Sequence, residues 1–233
     1  MLNTRAATAA LGRHQRGMTL VELMVGLTVG MIVVAGAVLL TTSQIGEHKR
    51  LILETQVQQD LRAAADLMLR ELRQAGAWGQ ARNTVWTPSN AASSVNPYQD
   101  LEVKGGGTEV NYSYTKDSKD TPEDNRLTQD ETYGFRLRAS RLEYLIGGSY
   151  QPLTDPNTLK MTGFLVNVNS QGLALPDLCN GPCPPDQTPC MRVRDVTIRL
   201  EGEAAHDKDV VRTLTVRARV RNDQVVKTAP AAC

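Results

Sequence analysis

Between Met18 and Leu40 lie 23 residues that carry one charge, Glu22. As a helix rising 1.5 Å per residue, such a run spans about 35 Å and is long enough to cross a bilayer. Arg5, Arg13 and Arg16 precede it, and residues 1–17 hold no acid. That asymmetry places the N-terminal side in the cytoplasm and the rest of the chain beyond the membrane. A secretory signal peptide would have a shorter apolar core followed by a small-x-small site. An ordinary anchor fits the length but leaves Glu22 unexplained. A charge inside such a run costs roughly 2.5–3.5 kcal/mol at the bilayer centre and less near its edge, so one that is kept has work to do.

The segment Gly17-Met18-Thr19-Leu20-Val21-Glu22 resembles the type IV prepilin processing motif. The resemblance implies that prepilin peptidase cuts after Gly17, on the cytoplasmic side, and that Met18 becomes the N-methylated first residue. Members of the family most often have Phe there. It also implies that Glu22 meets the free amine of a neighbouring subunit's first residue. A carboxylate and an ammonium in hydrocarbon each need such a partner. Gly26 and Gly30 form a small-xxx-small pair, with Gly36 a third glycine, a spacing that lets membrane helices approach closely. These two glycines join Glu22 as the expected subunit-assembly residues. The first proline is Pro88, so no proline kinks this helix. Major pilins usually carry one there, and its absence points to a minor subunit.

Helical periodicity continues beyond the membrane run. Val57, Leu61, Ala65, Met68, Leu72 and Ala75 recur at spacings of three and four. Asp66 precedes Arg70 by four residues, an exposed pair, and Gly76 and Gly79 signal the end. A single helix from Met18 to about Ala75 is expected, apolar all round at first and amphipathic after. Residues 80–100 read as a loop. Alternating apolar residues predict strands at Glu109–Lys116, Tyr133–Arg138, Arg141–Ile146, Phe164–Val168, Arg192–Glu201 and Val210–Val220. A hairpin turn is expected at Ala139-Ser140. The fold class is α+β, a long helix packed on an antiparallel sheet. The expected organisation is a cleaved leader over 1–17, a transmembrane and filament-core helix over 18–40, its amphipathic continuation over 41–76, and a β-rich periplasmic domain over 77–233.

Three further segments narrow the resemblance. Leu72-Arg73-Gln74-Ala75-Gly76-Ala77-Trp78-Gly79 and the closing strands Val193–Leu200 and Thr213–Asn222, including Arg221-Asn222, resemble PilW-type minor pilins of the type IV pilus. The J-type minor pseudopilins of type II secretion share some of this likeness and form the alternative. The resemblance implies the type IV pilin fold and a priming complex in the inner membrane that starts pilus assembly and stays at the tip. The implied partners are prepilin peptidase, other minor pilins, the major pilin and a tip adhesin.

No catalytic constellation emerges. His14, His48 and His206 sit in no zinc-protease or triad motif, and Gly105-Gly106-Gly107 precedes a strand, as a hairpin turn does, rather than a helix that could cradle phosphate. No enzyme, cofactor or metal is expected. Cys179, Cys183, Cys190 and Cys233 are even in number behind a membrane-targeting segment, which favours disulfides in an oxidising compartment. Three pairings are open, and each closed loop contributes about 2–4 kcal/mol. Asp117, Asp120, Glu123 and Asp124 lack the alternation of a calcium loop and read as a solvated turn. The chain has 26 basic and 25 acidic residues, and residues 1–17 contribute three of the basic ones. The remainder carries 23 against 25, a net −2, so the overall charge implies no nucleic-acid partner. Arg192, Arg194, Arg199, Arg212, Arg217, Arg219 and Arg221 nonetheless make the closing hairpin basic, and water-facing strand positions account for them.

Overall fold

The computed structural model describes residues 17–84, 95–116, 123–174 and 190–226. The chain divides into two units, Met1–Lys49 and Arg50–Cys233. Helix α1 (Leu20–Gln74) contributes to both. In the first unit it is the one regular element among the described residues, and it starts and stops within two residues of the limits its periodicity predicts.

The second unit adds two antiparallel sheets to the C-terminal part of α1. The first has five strands in sequential order: β1 (Leu101–Lys104), β2 (Glu109–Ser113), β3 (Thr132–Arg138), β4 (Arg141–Ile146) and β5 (Ser149–Pro152). The second pairs β6 (Leu159–Ala174), β7 (Cys190–Ala204) and β8 (Asp207–Arg219) in order, and β9 (Gln224–Val226) continues on β7 beyond β8. Two sheets thus stand where a single one was expected. The α+β class and the antiparallel packing on the helix are as the sequence predicts.

Periodicity explains which faces meet. Val57, Leu61, Ala64, Ala65, Met68, Leu72 and Ala75 line one face of α1 and are buried. They pack with Val110, Tyr112, Phe135 and Leu142 of the first sheet and Phe164, Val166, Val196, Ile198 and Leu200 of the second. The buried face opens at Val57, so 41–52 is exposed and the amphipathic packing covers only the later part of the 41–76 segment. Arg70 lies 3.6 Å from Glu71 and makes no pair with Asp66. Gly107 (φ +105) joins the sheets. A Cβ there would strike Leu165 and come 3.1 Å from the Val166 carbonyl, so only glycine fits.

Ala139 (φ 49) and Ser140 (φ 58) turn β3 into β4, the two-residue hairpin expected there, with both residues in the left-handed region. The Gly105–Gly107 turn links β1 to β2, also as expected. Strands β1, β5 and β9, at three or four residues, are too short for a period-2 pattern to register. Strand β6 runs 16 residues where five were predicted. Asn167, Asn169, Ser170, Gln171 and Gly172 have weak strand propensity, and the long partner β7 supplies what they lack.

The helix end is closed from far along the chain. Gly76 (φ +78) leaves α1 in the left-handed conformation typical of a helix stop. The Asn222 side-chain amide donates to the Gln74 and Ala75 carbonyls at 3.2 Å each, and the Arg221 N–H donates to the Arg73 carbonyl at 3.1 Å. Buried Arg194 donates to the Gln99 carbonyl at 2.6 Å and the Asn222 carbonyl at 3.0 Å. Burial is the main cause that lowers its pKa from the usual guanidinium value. Leu72–Gly79 and Arg221-Asn222, two parts of the segments on which the expected PilW-type resemblance rests, meet at this junction.

Candidate functional site

The first unit presents the feature on which the sequence reading rests. Every residue from Gly17 to Ile52 is exposed, and α1 contains a stretch long and apolar enough to cross a membrane. Leu20, Ile32 and Leu39 are each more than 70% exposed. In water that surface would be strongly unfavourable, at about 25 cal/mol per Å² of apolar area. It needs lipid or other helices around it.

Its start is built from local chemistry. Thr19 precedes the first helical residue, and its hydroxyl accepts the Glu22 N–H at 3.2 Å while its carbonyl accepts the Leu23 N–H at 3.1 Å. Thr19 is therefore the N-cap and Glu22 the third helical residue, an S/T-x-x-E spacing. A carboxylate in the first turn also faces the positive end of the helix dipole, a contribution of about 0.3–1 kcal/mol. The Glu22 side chain is exposed and joins no ion pair among the described residues. Thr19 is a site residue the motif reading passed over, although the capping spacing was visible in the sequence. Thr28 lies inside the apolar run, and its hydroxyl donates back to the Val25 carbonyl at 2.9 Å, so it carries no unmet donor into hydrocarbon.

Gly26, Gly30 and Gly36 have open space where a Cβ would stand. No contact among the described residues calls for them, although each costs helix stability of about 1 kcal/mol relative to alanine. Gly26 and Gly30, four apart, share a face.

The other sequence candidates fall elsewhere. Cys179, Cys183 and Cys233 lie outside the described residues, and Cys190 is described only by its backbone, at the start of β7. Asp117 and Asp120 also lie outside. Glu123 is not a free surface acid: it accepts from the hydroxyls of Tyr98, at 2.8 Å, and Thr115. Tyr98 is fully buried and also donates to Glu131 at 3.1 Å. Among the described residues, no three His, Cys, Asp or Glu side chains come together as a metal site would require. The closing arginines are largely committed inside the chain. Arg199 pairs with Glu201, Arg212 with Glu54, Arg217 with Asp195 and Arg219 with Asp223, while Arg194 holds the helix-end junction.

Two sequence-family profiles match this arrangement. The prokaryotic N-terminal methylation motif matches residues 12–38, a span that includes Gly17, Met18 and Glu22. The family described as prepilin peptidase-dependent protein B matches residues 50–220, nearly the whole folded domain. No curated protein and no solved structure matches the chain. A pilin-like signal on an exposed apolar helix, followed by a helix-on-sheet domain matched over most of its length, places the chain in the prepilin peptidase-dependent protein B family.

Proposed function

We propose that this chain is a minor pilin of the PilW type, a structural subunit and not an enzyme. Prepilin peptidase removes residues 1–17 at the Gly17–Met18 bond, and the new amino group of Met18 is methylated. The helix holds the subunit in the inner membrane with its folded domain in the periplasm. Gly26 and Gly30 bring it against the helices of other minor pilins and the major pilin. Glu22 takes the N-terminal amine of a neighbour as its partner. The complex starts pilus assembly and remains at the tip, where an adhesin docks.

The observation that carries this reading is the single carboxylate in the first turn of α1, within an exposed stretch over 18–46 that holds no other charge. Burying it unpaired would be costly, and an ammonium of a second subunit relieves that cost. A Glu22→Ala chain should still insert and lose its leader, yet pilus number should fall at least tenfold by electron microscopy. Normal piliation would remove the role given to Glu22. Deleting the whole chain should abolish pili and leave protein secretion intact, and the reverse result would assign it to a secretion system.

A further inference from the structure

The two outer strands of the second sheet differ in chemistry. Strand β8 is one edge and carries Asp207, Lys208, Asp209, Arg212, Arg217 and Arg219 in 13 residues. Strand β6 is the other edge, and Lys160 is its one charged residue in 16. Outer strands normally carry charges, prolines or bulges that prevent another strand from pairing with them. The irregularity in β6 lies at Met161/Gly163, and the pairing with β7 is continuous from Gly163 to Ala174. From Phe164 onward β6 has none of these protections.

Part of that edge is already covered. The Met161 N–H donates to the Ser140 carbonyl at 2.9 Å, and the Gly107 turn lies against Leu165 and Val166. Beyond Val166 the outer edge has no backbone partner among the described residues. Asn167, Asn169, Gln171 and Leu173 are exposed. On the opposite side of the same hairpin, β9 completes β7 by pairing Gln224–Val226 with Cys190–Arg192. The hairpin arm is thus finished on one side and open on the other. The opening is eight residues long, about 26 Å of unpaired N–H and C=O groups.

We infer that Asn167–Ala174 is a strand-addition site for the main chain of a neighbouring, different pilin subunit. An extended segment supplies the carbonyl and N–H row this edge lacks, and no charge from Asn167 to Ala174 opposes it. The bulged and covered part at Met161–Val166 fixes where the added strand must end. A second copy of this chain is the less suitable occupant. Pairing β6 with its own copy is two-fold and closes on itself, whereas filament growth needs a contact between unlike surfaces. The inference rests on the pilin reading above and adds the surface through which the domain finds its neighbour.

The test uses the full chain in cells that make the filament. A photo-reactive amino acid is placed at Gln171, and in parallel at Thr213 or Thr215 on β8. Illumination should give an adduct from Gln171 that mass spectrometry identifies as another pilin-like subunit, and little or none from β8. Asn167→Lys with Asn169→Lys should reduce that adduct at least fivefold, while the uncharged pair Asn167→Ser with Asn169→Ser retains it. Leader cleavage and protease resistance of the domain verify that both variants fold. No adduct, an equal adduct from β8, an adduct with a second copy, or one with a protein unrelated to pilins overturns the inference. Pilus loss on deleting the chain is scored in the same strain. Lost pili without the adduct defeat strand addition alone, whereas intact pili defeat the functional reading itself.

Discussion

Asn222 caps a helix whose last residue lies 148 positions earlier in the chain. Its amide reaches the Ala75 carbonyl just past that residue and the Gln74 carbonyl, which also accepts from the Ala77 N–H. Asn222→Ala should lower the stability of the domain by about 1–2 kcal/mol, read from the urea midpoint of the detergent-solubilised chain. Asn222→Asp should cost more, because a carboxylate there faces helix carbonyls and the negative end of the dipole. An unchanged midpoint in both variants would show that water replaces the cap. Residues of this kind are hard to foresee. Glu22 was legible because a charge in an apolar run is conspicuous by itself. Glu71, by contrast, is buried and accepts from Tyr114 at 3.0 Å and Tyr144 at 3.1 Å, 43 and 73 positions away. Nothing near it in sequence announces those partners.

Between elements, the same Glu71 fastens α1 to the first sheet through a bank of rings. Tyr114 and Tyr133 stack at 4.1 Å, and Phe135 and Tyr144 at 4.8 Å. Burial is the largest cause that pushes Tyr114 and Tyr144 above the ordinary 10.0; the hydrogen bond with Tyr133 follows for Tyr114, and the Glu71 charge follows for Tyr144. Folding therefore favours the protonated phenols. Their contribution is fully present below about pH 10 and is lost as pH rises through the raised folded values. In an alkaline titration, tyrosinate absorbance should lag behind that of free tyrosine and then rise together with loss of the helical circular dichroism signal. Ionisation near pH 10 with the fold intact would contradict this. Long or strongly alternating elements were legible: α1, β2, β3, β4, and the β7–β8 hairpin. The short strands and the polar half of β6 were not, because register with a partner decides them and local composition does not. The split into two sheets was equally hidden, since it depends on which strand ends pair. The functional signal was read almost entirely from the first 40 residues, while the open edge of β6 became visible only once strand order was known.

On the scale of the whole molecule, charge and apolar surface are sorted by position along the chain. The arginines precede the apolar helix, and the residues from Met18 onward carry 23 basic and 25 acidic groups. Intact mass of the protein recovered from membranes should equal Met18–Cys233 plus one methyl group, less two hydrogens for each disulfide formed. A mass that retains residues 1–17 would argue against processing. The junction at Asn222 also has a consequence for biogenesis. Translation delivers α1 well before Arg221 and Asn222, the residues that close its C-terminal end. Until Arg221 and Asn222 emerge, the last turn of α1 lacks their contacts, and β7 lacks its short outer partner. Contacts so distant in sequence form slowly, because a long loop must close before they return any energy. The helix therefore exists well before its C-terminal end is closed, and a chain halted before Asn222 lacks that closure.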